Sequence, residues 1–89
     1  MPDLRKIELG PSQFVDADGV GFGIAYIRNP STRPTVGVVT VDYSTGSEAT
    51  QEVGSGQPFQ AAGQTWQVTK IRRPASDDWT IVLRRTDRA

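Results

Sequence analysis

The chain reads as a small all-β domain, an antiparallel sandwich or barrel of about six to eight short strands. Three observations carry that reading. Valine, isoleucine and threonine number twenty-three, against four leucines and methionines together. β-Branched side chains lose rotamer freedom in a helix and fit a pleated, half-buried surface. No window places apolar residues at i, i+3, i+4 and i+7, so no amphipathic helix is expected. Short alternating runs recur instead, bounded by glycine, proline, asparagine or aspartate.

The elements follow in order. A first strand is expected over residues 5–9, with Ile7 and Leu9 facing inward and Gly10-Pro11-Ser12 ending it. Phe14-Val15 is a short second piece. Asp16-Ala17-Asp18-Gly19 reads as a hairpin loop. Residues 20–28 alternate strictly, which sets Val20, Phe22, Ile24 and Tyr26 on one face. Residues 29–34 form a loop, because Pro30 and Pro34 cannot donate to a ladder. Residues 36–43 are apolar on both faces, Val36 and Val38 on one, Val39, Val41 and Tyr43 on the other. That strand is expected at the centre of a sheet, or buried on both sides.

Residues 44–47 turn the chain, and residues 48–53 return as a polar strand suited to an edge. Gly54-Ser55-Gly56 breaks it, and residues 57–60, 64–72 and 79–85 complete the fold. Trp66 lies mid-strand and is expected in the core. Trp66 and Val68 share a parity that Ile71 breaks: either a bulge near Thr69-Lys70 turns Ile71 inward, the preferred reading because an isoleucine in an exposed loop would be wasted, or the loop begins at Ile71. The pattern shows no repeat and no linker. Residues 1–89 make one domain, with residues 1–3 and 86–89 expected to fray.

Composition excludes more than it assigns. Ten basic and ten acidic residues give zero net charge, which argues against a dedicated nucleic-acid or membrane-surface binder. The charge is unevenly placed: residues 1–56 hold seven acids and four bases, residues 57–89 three acids and six bases. No cysteine means no disulfide framework, and no histidine removes the commonest general base. No stretch is long and apolar enough to span a bilayer as a helix, so the cytoplasm is the expected location. Eight arginines against two lysines suit a GC-rich genome.

The candidate site is a set of binding residues. Gly21 and Gly23, with Gly19 before them, line one face of a strand, where glycine is kept so that a backbone, ring or ligand comes close. The spacing GxGxG before a strand is not the GxGxxG of a dinucleotide fingerprint. Two readings stand: a bend or tight crossing where a barrel closes or a tryptophan lies across the strand, or a flat patch for a partner or ligand. Trp79 opens its strand beside Arg72 and Arg73 and is a candidate rim residue with an arginine stacked on it. Arg84, Arg85 and Arg88 form a second basic cluster, read as solvated rim charge. Asp16-x-Asp18-Gly19 lacks the further acids of a calcium loop and reads as a turn. The six serines and ten acids form no catalytic constellation. No catalytic residue, metal site or cofactor is expected.

Val53-Gly54, Gln57-Pro58-Phe59, residues 63–71 and residues 78–85, with residues 19–23 upstream, resemble a set of small uncharacterised all-β proteins encoded by actinobacteria. The resemblance spans roughly residues 19–85 and rests on structural glycines and core positions. It implies fold and source, and no activity or site residues.

The expected function is binding without catalysis, through contact with a protein partner or a second copy. The open edge at residues 5–9 is the expected place for self-association. One alternative is a binder of a small molecule or phosphate-bearing ligand, using the glycine-lined strand and Trp79. Another is a cofactor-free enzyme.

Overall fold

Alternation sends every second side chain of most strands into one core, and glycine-rich turns set where each strand ends. The computed structural model describes residues 6–87. Eight strands result: β1 (Lys6–Leu9), β2 (Phe14–Ala17), β3 (Val20–Arg28), β4 (Thr35–Asp42), β5 (Ser47–Gly54), β6 (Pro58–Ala61), β7 (Gln64–Arg72) and β8 (Thr80–Arg85). They form two four-stranded antiparallel sheets, ordered β2-β3-β4-β5 and β1-β8-β7-β6. The two sheets make a sandwich with open edges, not a closed barrel. β4 lies inside its sheet and β5 on an edge, as their polarity predicts.

Both sheets feed the core. Leu9, Val20, Phe22, Val36, Val38, Trp66, Val68, Ile81 and Leu83 are fully buried. Phe22 sits 4.6 Å from Trp66 and meets Phe59 edge-on at 6.5 Å, centroid to centroid. Burying Trp66 requires a partner for its indole N–H. That N–H donates to Gln64 Oε1 at 2.9 Å, and Gln64 Nε2 donates to the Asp18 carbonyl at 2.9 Å. Arg85 adds ion pairs to Asp18 at 3.0 Å and Asp87 at 2.7 Å. The guanidinium holds the Asp87 carboxyl at about 2, below its usual 3.8. The turn of one sheet is thereby latched to the end of the other.

Three details depart from the sequence reading. First, β3 carries a register shift between Ile24 and Tyr26. Ala25 is the extra residue, so Tyr26 turns outward and Ile27 packs on the core. The matching bulge in β7 lies between Val68 and Lys70 and sends Ile71 inward against Ile81, as expected. Second, Gly19 is not on the strand face. Asp18 (φ 55) and Gly19 (φ 81) are the two loop residues of a hairpin, both left-handed as a type I′ turn requires. Third, residues 86 and 87, part of the end expected to fray, both donate their N–H groups to the Thr65 carbonyl. Arg5, Arg88 and residues 1–3 and 89 lie outside the described residues.

The sandwich also contains a repeat that the alternation conceals. Gly10, Gln13, Ala17, Gly19, Ile27, Arg28 and Pro30 recur as Gly54, Gln57, Ala61, Gly63, Ile71, Arg72 and Pro74, each forty-four positions on. The backbone follows the same offset. Gln13 and Gln57 each donate their N–H to the carbonyl of the glycine three residues earlier. Each side chain accepts that glycine's N–H, both at 2.6 Å. Asp18-Gly19 matches Ala62-Gly63 (φ 53 and 78), the bulge at Ala25 matches that at Thr69, and Asn29 (φ 52) matches Arg73 (φ 51). Strand order agrees: β2-β3-β4-β5 maps onto β6-β7-β8-β1. The chain is two copies of one four-strand unit, with the first strand of each copy lying in the other's sheet.

Candidate binding face

The outer surface of the β2-β3-β4-β5 sheet is built from rings laid over glycines. Phe14 stands opposite Gly23, and Tyr26 opposite Gly37. A β-carbon on Gly23 would lie 2.7 Å from Phe14 Cδ1. On Gly21 it would lie 2.5 Å from Phe14 Cε2 and 2.6 Å from the Tyr43 hydroxyl, and on Gly37 2.5 Å from Tyr26 Cζ. All are closer than real β-carbons come. Glycine weakens a strand, and a ring across it restores packing and shields the backbone. The cover of Gly21 and Gly23 is therefore the protein's own Phe14 and Tyr43, not a tryptophan.

These rings remain open to solvent. The large exposed hydrophobic residues among those described are Phe14 (51%), Tyr26 (36%) and Tyr43 (52%), all on this face. Val39 and Val41 lie half-buried between them. Hydrogen bonds fix both tyrosines. Tyr43 donates to Asp16 Oδ1 at 2.8 Å, which raises the phenol above its ordinary value of 10.0. Tyr26 donates to Glu52 Oε1 at 3.1 Å, and Thr35 donates to Glu52 Oε2 at 2.7 Å. Arg28 Nε lies 3.2 Å from Glu52, with its guanidinium 5.1 Å from the centre of the Tyr26 ring. Thr35 first, then Tyr26 and Arg28, lower the Glu52 carboxyl below its normal 4.5.

The repeat supplies an internal comparison. At offset forty-four, Phe14, Gly21, Gly23 and Tyr26 correspond to Pro58, Thr65, Gln67 and Lys70. By register, Gly37 and Val39 correspond to Val82 and Arg84. The second sheet makes the same strands and bulge with neither glycines nor rings at these places. The backbone does not demand the aromatic face.

The five residues singled out by sequence do not converge. Gly21 and Gly23 lie under the aromatic face. Arg72 projects from the outer face of the other sheet, and Arg73 sits in a loop, 2.6 Å from Asp78. Trp79 is half-buried against the core. The stacked arginine exists, but it is Arg28 on Tyr26. Sequence reasoning missed Phe14, Tyr26 and Tyr43 as a group; the forty-four-residue offset was the signal that would have exposed them. Asp16 and Asp18 spend their carboxylates on Tyr43 and Arg85. An open groove beside Arg33, lined by Thr32, Thr35, Ser55 and Gln57, lies at the end of this sheet.

Fold and face together define a small β-sandwich whose distinguishing feature is a surface rather than a cleft. The chain belongs to DUF6406, a family of unknown function whose pattern matches residues 4–87. No curated protein and no solved structure matches it.

Proposed function

We propose that the protein is a non-catalytic binding module that engages a protein partner through the Phe14–Tyr26–Tyr43 face. One observation carries the reading: the large exposed rings among the described residues gather on a single sheet face, while the duplicated sheet builds the same strands and bulge with no aromatic ring at the equivalent places. Tyrosine and phenylalanine supply large contact area with little rotamer entropy, which is why aromatics dominate binding hot spots. The reading includes a cytoplasmic location, suited by the cysteine-free sequence, and an actinobacterial source, suited by the arginine excess.

The test places a photo-crosslinking amino acid at Tyr43 and, separately, at the exposed Asp77 in the loop between β7 and β8, on neither outer face, in cells that express the chain naturally. A discrete adduct from position 43 that position 77 does not give is expected. Equal labelling from both positions, or none from position 43, refutes the reading.

A further inference from the structure

The two outer faces of the sandwich carry opposite charge. On the aromatic face Asp16, Glu48 and Glu52 stand against Arg28. On the outer face of the β1-β8-β7-β6 sheet Lys6, Lys70, Arg72 and Arg84 stand against Glu8. All four of those cations are exposed, and among the described residues none makes an ion pair. Lys6 and Arg84 are direct cross-strand partners. Like charges placed directly opposite destabilise a sheet. The arrangement costs the isolated domain stability and is relieved by an acidic surface laid over it.

The aromatic face is such a surface. The way it holds Arg28 shows how it receives a guanidinium: stacked on a tyrosine ring and paired with a carboxylate. Charge complementarity of this kind steers association and fixes orientation. Twisted sheets of one hand also pack face to face. Because the chain is a duplication, its two outer faces share one backbone shape.

Resting on the binding face proposed above, we infer that its occupant is the basic outer face of a second copy. The contact is heterologous, aromatic-acidic face to basic face. The two faces point in opposite directions, so addition does not close and copies stack in a row.

Two variants test this on the full chain. Glu48→Arg disables the acidic face; Lys70→Ser with Arg84→Ser disables the basic one. All three positions are exposed, so Glu48→Arg should keep the wild-type melting temperature, and the double variant, relieved of the Lys6–Arg84 repulsion, should keep it or raise it slightly. By sedimentation, the wild type should grow in mass with concentration and dissociate as salt is raised. Each variant alone should associate about tenfold more weakly or stay monomeric. Mixed, the two should form a one-to-one pair and nothing longer, since each supplies the face the other lacks.

A monomeric wild type at every concentration overturns the inference. So does assembly that either variant retains, or a mixture that forms no pair. If Tyr43 crosslinks to a different protein while the wild type stays monomeric, the binding face stands and only its occupant is wrong.

Discussion

Tyr26 shows how one residue decides the character of a face. An unbroken alternation puts it in the core with Val20, Phe22 and Ile24. The extra residue Ala25 puts it outside, over Gly37. The bulge in β7 was legible because polar Lys70 and apolar Ile71 traded places visibly. The bulge in β3 was hidden because Tyr26 and Ile27 both pass for core residues. The dependence of Gly37 on the ring is testable. In the wild type, Gly37→Ala forces the new methyl into Tyr26, which Glu52 and Arg28 hold in place, and should cost about 1–3 kcal/mol as overpacking does. In a Tyr26→Ala background the same change should be neutral or stabilising, because alanine is stiffer than glycine and nothing opposes it. A denaturation double-mutant cycle measures the coupling; additive effects would show that the ring does not shape the strand.

At the scale of elements, strand positions were readable from alternation and turn residues, and the central and edge assignments of β4 and β5 followed from polarity alone. Sheet membership was not readable, because nothing local says that β1 leaves its neighbour β2 to pair with β8. Nor was the aromatic face, since its rings come from β2, β3 and the residue after β4, and register alone brings them together. The two corner turns give an element-scale prediction. Gly10-Pro11-Ser12-Gln13 and Gly54-Ser55-Gly56-Gln57 share one hydrogen-bond pattern. Their third residues are left-handed, Ser12 at φ 63 and Gly56 at φ 85. A side chain there strains the backbone by about 1–2 kcal/mol, and glycine does not. Ser12→Gly should raise stability by about 1 kcal/mol, less what a more flexible unfolded chain returns. Gly56→Ser should lower it by a similar amount. Urea titrations of both variants check the pair; effects of the same sign would mean that the turns are not equivalent.

At the scale of the molecule, the duplication explains why 89 residues form two matched sheets around one core, each half completing the other's sheet with its first strand. It also relates the two ends of the chain. Residues 43–46 join β4 to β5. The equivalent place in the second half lies between the end of β8 and the start of β1, where Lys6 pairs with Arg84. That place holds residues 86–89 and 1–5 in place of a turn. If the two-fold relation is genuine, the opening can be moved. Joining residue 89 to residue 1 leaves nine residues, 86–89 and 1–5, to span a gap that four residues span in the other half, so the closure is unstrained and its entropic cost small. Opening the chain between Ser44 and Thr45 gives up a turn anchored on the Asp42 carbonyl and carboxylate, and no core contact. This permutant should fold cooperatively and melt within a few degrees of the parent. Opening instead between Asp18 and Gly19 cuts the turn that receives Gln64 and Arg85 from the other sheet, and should cost much more. Calorimetry on the two permutants separates the cases. An unfolded first permutant would reduce the repeat to a coincidence of turns.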